Sequence, residues 1–235
     1  MAKMTREEVE ERLEEYSAYK SIKEAHDDVE ENPPQTDSDN LENGVDNNLQ
    51  ISDKETDKQK EEETLAEVVS LVEEPQDETD HPPVPSLDNC DLSELDLSDL
   101  DFLSISIQNA NLTKAILNRA NLSNSSLVKT SLANANLNDT NLSETDLSDA
   151  NLSQAILESA NLEGSILNRA NLSDAMLERA NLRKCKLIES NLTNANLNEV
   201  TCGLADFSRS DLTNVKAIGA DFNRVKLSGA NLNNS

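Results

Sequence analysis

The residues able to do chemistry in this 235-residue sequence are few and scattered. His26 and His81, the only histidines, both precede residue 86, so the chain beyond that point has no imidazole to act as a general base or metal ligand. Three cysteines, Cys90, Cys185 and Cys202, are an odd number with no CxxC spacing, which provides neither a zinc site nor a disulfide framework. Serine and threonine are plentiful, but no base stands near them to activate a nucleophile. The carboxylates Asp91, Glu94, Asp96, Asp99 and Asp101 crowd one stretch. Paired acids can move protons or hold a divalent cation weakly. Their regular spacing without a cavity lining reads instead as a solvated surface. No catalytic residue, metal ligand or cofactor site is expected, and the chain is read as a non-enzyme.

What positions these residues is a repeat. From Leu87 to Leu232 every fifth residue is a centre, thirty in all; twenty-four are Leu and the rest are Phe102, Ile107, Cys202, Phe207, Ala217 and Phe222. Two residues before each centre the side chain is mostly small or apolar, as at Ala110, Ala120, Thr130 and Ala230. Between the two stands mostly Asn or Asp. A helix would turn successive centres by about 140° net, so no single face would form. Side chains two apart on a strand point the same way. Centre and centre minus two therefore form a short extended piece, and the chain must turn before the next. Composition agrees: 36% hydrophobic, with three Phe, two Tyr and no Trp, lies below the about 45–50% apolar content of an ordinary globular domain.

The pattern A(N/D)LXX, as in Ala120-Asn121-Leu122 and Ala220-Asp221-Phe222, resembles that of the pentapeptide-repeat proteins common in cyanobacteria. The likeness runs through residues 86–235 without an insertion. It implies an all-β fold, a right-handed quadrilateral β-helix with four repeats per coil and the centre and centre-minus-two side chains inside. Thirty repeats would make about seven and a half coils, about 36 Å long at the ~4.8 Å spacing of paired strands. Phe102 and Phe222, at the two ends of one ladder of centres, would plug the rod near its ends. Solenoids normally cap their open edges; after Leu232 no cap is encoded, so that end is bare or covered by a partner. The three cysteines fall on inward positions and read as small buried hydrophobes.

Residues 1–85 form a separate acidic leader, carrying −19 of the net charge of −26, with −7 on residues 86–235. Thr5-Arg6-Glu7-Glu8 fits a capping box. Val9, Leu13, Tyr16, Tyr19, Ile22 and Val29 recur at roughly helical spacing and predict a helix over about 6–30, ended by Pro33-Pro34. A second short helix is expected over 60–74, with Leu65, Val68, Val69 and Val72. The rest has the composition of a disordered linker. Two readings stand for these helices: they float in solvent, being marginal alone, or one caps the first coil or docks on a partner.

Outward apolar residues mark candidate contacts. On one face Ile116, Ile156 and Met176 replace the usual Asn or Asp, with Ile218 nearby; the opposite face has Val128, Ile166 and Ile188 among Lys129, Arg169, Lys186, Arg209 and Lys226. A contiguous patch of this kind marks an interface. The expected role is a noncatalytic scaffold or regulator that binds another protein, or a second copy of itself. Cyanobacterial members that influence heterocyst development point the same way. The alternative is a DNA mimic that modulates DNA gyrase, as some members of the resembled family do, although the rod carries little charge and lacks their C-terminal helical module and projecting loops. The acidity opposes direct nucleic-acid binding. No apolar run approaches a membrane span, and the start MAKMTREEVE is no signal peptide, so a cytoplasmic protein is expected.

Overall fold

The computed structural model describes residues 3–31 and 86–235; the expected helix over 60–74 and the linker around it lie outside the described residues. One unit comprises residues up to Lys20 together with Pro85–Ser235; Ser21–Val84 form a second. Among the described residues one helix, α1 (Arg6–Glu31), precedes the repeats.

From Asp91 onward the residue before each centre forms a parallel bridge to the residue twenty positions on. Twenty residues are four repeats, so each coil has four faces. The first face starts at Asp91–Asn111, the second at Asp96–Ile116, the third at Asp101–Asn121 and the fourth at Ser106–Ser126. Centres point inward and are fully buried through most of the array, from Leu87 to Leu212.

A five-residue unit suffices because nearly every N–H finds an acceptor. At the centre, Leu112 donates to Ser131 C=O on the next coil at 2.7 Å; Lys114, two residues on, donates to Ala133 C=O at 2.9 Å. Asn111, before the centre, donates back to Cys90 C=O at 2.9 Å, and Ala115 closes the turn on Leu112 C=O at 3.0 Å. The fifth donor, Thr113 N–H, goes to the Asn111 side chain, whose Oδ1 accepts it at 3.2 Å. That last bond is why Asn or Asp precedes most centres: the side chain mimics a turn of backbone. Its amide also reaches the neighbouring coil, as Asn141 Nδ2 donates to Asn121 Oδ1 at 3.0 Å and Asn181 Nδ2 to Asn161 Oδ1 at 3.0 Å.

The turn itself places the residue two after each centre at positive φ throughout the array, from Asn89 at 57° to Asn234 at 57°. Polar residues with short or flexible side chains occupy nearly all these corners. Inside, hydroxyls at centre minus two are spent on turn carbonyls of the preceding coil: Thr140 Oγ1 donates to Leu117 C=O at 2.7 Å and Thr145 Oγ1 to Leu122 C=O at 2.7 Å.

Among the described residues no coil precedes the first, so its carbonyls at Ser86, Asp91 and Asp96 have no coil to accept from. The start of the chain supplies donors: Arg12 Nη1 to Ser86 C=O at 2.9 Å, Met4 N–H to Asp91 C=O at 2.9 Å, and Arg6 Nη1 to Asp96 C=O at 2.9 Å. Tyr16 Oη donates to Ser104 C=O at 2.7 Å. Val9 and Met4 are buried in the same apolar core as the leucines, with Leu13 packed against it. The early part of α1 thus lies on the first coil. At the other end Phe222 is half-buried, its ring centroid 6.5 Å from that of Phe207, while Phe102 is fully buried in the first coil.

Candidate functional site

Placing an apolar residue before a centre forfeits the Asx bond, so such a residue has a cost that ordinary surface drift lacks. Ile116, Ile156 and Met176 all pay it on the second face. At Ile156 the preceding coil compensates, since Glu158 N–H donates to Asn138 Oδ1 at 3.1 Å. Beside Ile116 the accounting stays open: Asn118 Oδ1 is buried and has no hydrogen-bond partner among the described residues. A native structure rarely tolerates such an atom.

The bridge register fixes how these side chains group. Ile156 and Met176 are direct neighbours on successive coils, and Ile116 lies two coils away across Asn136. Ile116 is 39% exposed and Met176 44%, with Ile156 half-buried between coils. Ile218, 78% exposed, stands one residue past centre 217 on the same face, near the C-terminal end. The second face therefore carries an interrupted apolar strip whose compact part is Ile156–Met176.

The opposite, fourth face is different. Val128, Ile166 and Ile188 are each half-buried. Ile166 is bridged to Lys186, whereas Val128 and Ile188 occupy corners three coils apart with Ser148 and Asn168 between them. These three do not form one patch. A residue that spacing alone passed over is Leu204, 47% exposed at a corner with φ of 67°. The signal was there: every other non-glycine corner residue at positive φ is polar or charged.

The clustered acids are committed to structure. Asp91 and Asp96 accept from Ser93 and Ser98, bonds that hold both carboxyls below their usual range. Glu94 pairs with Lys114 at 3.4 Å and Asp99 with Arg119 at 2.6 Å, while Asp101 accepts from Asn121 Nδ2 at 2.8 Å. Among the described residues no three His, Cys, Asp or Glu side chains are placed to hold a metal ion. A groove of about 470 Å³ between α1 and the first coil is lined by Leu13, Tyr16, Leu100 and Leu103 together with the polar side chains of Glu10, Glu14, Ser17, Lys20 and Asp101. Burial pushes the Cys185 and Cys202 thiols up to about 12, leaving them protonated; Cys90 is half-buried beside Arg12. No described helix is long and apolar enough to cross a membrane.

Comparison with known proteins agrees with this geometry. The pentapeptide-repeat family model matches in eight copies, over residues 86–124, 105–144, 115–154, 145–183, 165–201, 177–214 and 205–235. Among curated proteins nothing matches. Similar solved structures include HetL, a pentapeptide repeat protein involved in heterocyst differentiation regulation from the cyanobacterium Nostoc sp. strain PCC 7120. It is 28% identical, covers 63% of this chain and 75% of its own, and has a TM-score of 0.42. The pentapeptide repeat protein alr5209, also from Nostoc, is 35% identical over 43% of this chain and 84% of its own, with a TM-score of 0.38. QnrB1, a plasmid-mediated fluoroquinolone resistance protein, is 19% identical over 60% of this chain and 71% of its own, with a TM-score of 0.35.

Proposed function

Because this chain belongs to the pentapeptide-repeat family, whose members fold as right-handed quadrilateral β-helices, we propose that it acts without catalysis, as a rigid surface that binds and regulates or scaffolds another protein. One observation carries the reading: on the second face Ile116, Ile156 and Met176 stand where Asn or Asp would each supply a turn-closing bond. Such a bond contributes about 1 kcal/mol. Asn138 makes up the bond at Ile156; apolar side chains retained against the loss at Ile116 and Met176, and continuous with Ile156, support a partner that covers them. Ile156 and Met176 form the centre of the contact, Ile116 and Ile218 its outlying points. The partner's surface here is flat and apolar, because the face that meets it is a row of bridged coils with no cavity.

The test replaces Ile156 and Met176 together with Asp, after partners have been captured from the native source with the full chain. Asp fits this position, as Asp206 and Asp211 do on other faces. The double variant should melt as the parent does and lose the captured partner. Retained association at unchanged stability refutes the surface. A supercoiling assay with DNA gyrase separates the rival role: under the present proposal the protein leaves gyrase activity unchanged, whereas inhibition or protection of the enzyme favours the DNA mimic.

A further inference from the structure

The corner between the third and fourth faces, in the last coils, departs from the rest of the array. Successive coils place Lys184, Leu204 and Arg224 in one row, each two residues past a centre and each at positive φ, 59°, 67° and 59°. A left-handed backbone costs an ordinary side chain roughly 1–2 kcal/mol, and Asn or Asp bear it best. Leucine gains nothing local in exchange at this position, where it is 47% exposed. A bulky residue held at a strained conformation and turned to solvent is a pointer to function.

Cations surround it. Arg183 precedes Lys184, and its Nη1 lies 3.5 Å from where a Cβ on Gly203 would sit, so the guanidinium lies close over the backbone next to Leu204. Lys186 and Lys226 project from the adjoining fourth face, on either side of Asp206. Lys184 pairs with Glu163 at 2.7 Å and Lys226 with Asp206 at 3.5 Å. Arg183, Lys186 and Arg224 have no carboxylate within pairing distance among the described residues. Elsewhere on the rod the bases Lys114, Arg119, Arg169 and Arg209 are each neutralised by an acid one coil away, while Lys129 and Lys216 stand singly without one among the described residues. Here five bases meet three acids, Glu163, Asp206 and Asp221, around one exposed apolar side chain.

We propose that this corner is a second docking surface, built for a short acidic protein segment that carries an apolar side chain: the partner's hydrophobe seats on Leu204 and its flanking carboxylates meet Arg183, Lys186 and Arg224. The row from Lys184 to Arg224 spans two coil spacings, about 9.6 Å, which suits a few residues of peptide. Nucleic acid is the poorer fit. A long polyanion feels the whole chain, with its net charge of −26, while a short segment feels mainly charges within a Debye length of about 8 Å. Phosphate also has nothing to offer Leu204. The surface is independent of the second face, so either can fail without the other.

The experiment uses the full chain and a fluorescein-labelled peptide of glutamates flanking a central leucine, with an all-glutamate peptide of equal length as control, read by fluorescence anisotropy. Saturable binding below about 100 μM is expected, weakening as salt rises and weakening about tenfold or more without the peptide's leucine. Leu204→Asn suits the left-handed corner and should fold at least as well as the parent, yet bind about tenfold more weakly. Arg183→Gln with Arg224→Gln should bind weakly and lose most of the salt dependence. The Ile156→Asp, Met176→Asp variant should bind as the parent does. Unchanged binding by Leu204→Asn, no saturable binding, or equal or tighter binding of a 12-base-pair duplex would each overturn the proposal.

Discussion

Val9→Asp puts the role of α1 to a quantitative test. Val9 is fully buried in the core that continues into the first coil. Burying a valine contributes about 1.5–3 kcal/mol. An ionised carboxylate cannot take its place without a partner, so the start of α1 should leave the coil rather than carry the charge inward. The donors from Met4, Arg6 and Arg12 to Asp91, Asp96 and Ser86 then leave with it, each contributing about 1 kcal/mol net. Chain entropy regained by the released segment offsets part of the sum. We expect a net loss of about 3 kcal/mol, which is roughly a hundredfold in local opening. In a solenoid this loss stays with its neighbours. Native-state hydrogen exchange should show it at Leu87, Leu92 and Leu97, whose N–H groups bond to Ser106, Asn111 and Ile116. Leu157, Leu172 and Leu177 should exchange as in the parent. Equal exchange at the first coil in both proteins would show that the helix contributes no stability there. An increase spread evenly along the array would refute nearest-neighbour coupling.

The thiols give a second test: Cys185 and Cys202, raised to about 12 by burial, should resist iodoacetamide at pH 8.5 in the native protein and react on unfolding, as mass spectrometry of the labelled peptides can show. Alkylation of either in the folded state would place it outside the core. Acid supplies the third. Asp91, Asp96, Asp206 and Asp211 have folded-state pKa values lowered by Ser or Thr hydrogen bonds. The stability these groups contribute is present above the unfolded carboxyl pKa of about 3.9 and lost as pH falls through the lower folded values. The melting temperature should therefore change little through these groups between pH 7 and 5 and drop below about pH 4; a fall already complete by pH 5 would contradict those bonds.

The inside of the rod could be read directly from spacing, because a period of five gives all thirty centres one environment, filled by leucine at twenty-four of them. The outside was harder. Asn and Asp before the centre are visible as a pattern, but their purpose depends on which N–H the coil geometry leaves without an acceptor, as Thr113 shows with Asn111. Ile156 and Met176 were recognisable because they break that pattern at adjacent coils. Of Val128, Ile166 and Ile188 on the fourth face only Ile166 breaks it, the other two standing one residue after a centre, and half-burial with separation by Ser148 and Asn168 denies the three continuity. Leu204 is the one apolar side chain among the corner residues, a break in the sequence pattern whose cost becomes plain only from the backbone, at φ of 67°. Its companions Lys184 and Arg224 stand twenty residues to either side, a distance at which sequence neighbours are normally ignored.

The bridge from each residue to the one twenty further on also constrains how such a gene can change length. Losing one repeat keeps each leucine in a coil, yet swings everything downstream through a quarter turn about the axis. A loss between Ile156 and Met176 would leave the two looking out in different directions. Gain or loss of a whole coil leaves every direction as it was. Descendants of this sequence that keep a working surface should thus differ between Ile116 and Met176 by multiples of four repeats, and other lengths there should mark lineages in which that surface has been abandoned or rebuilt.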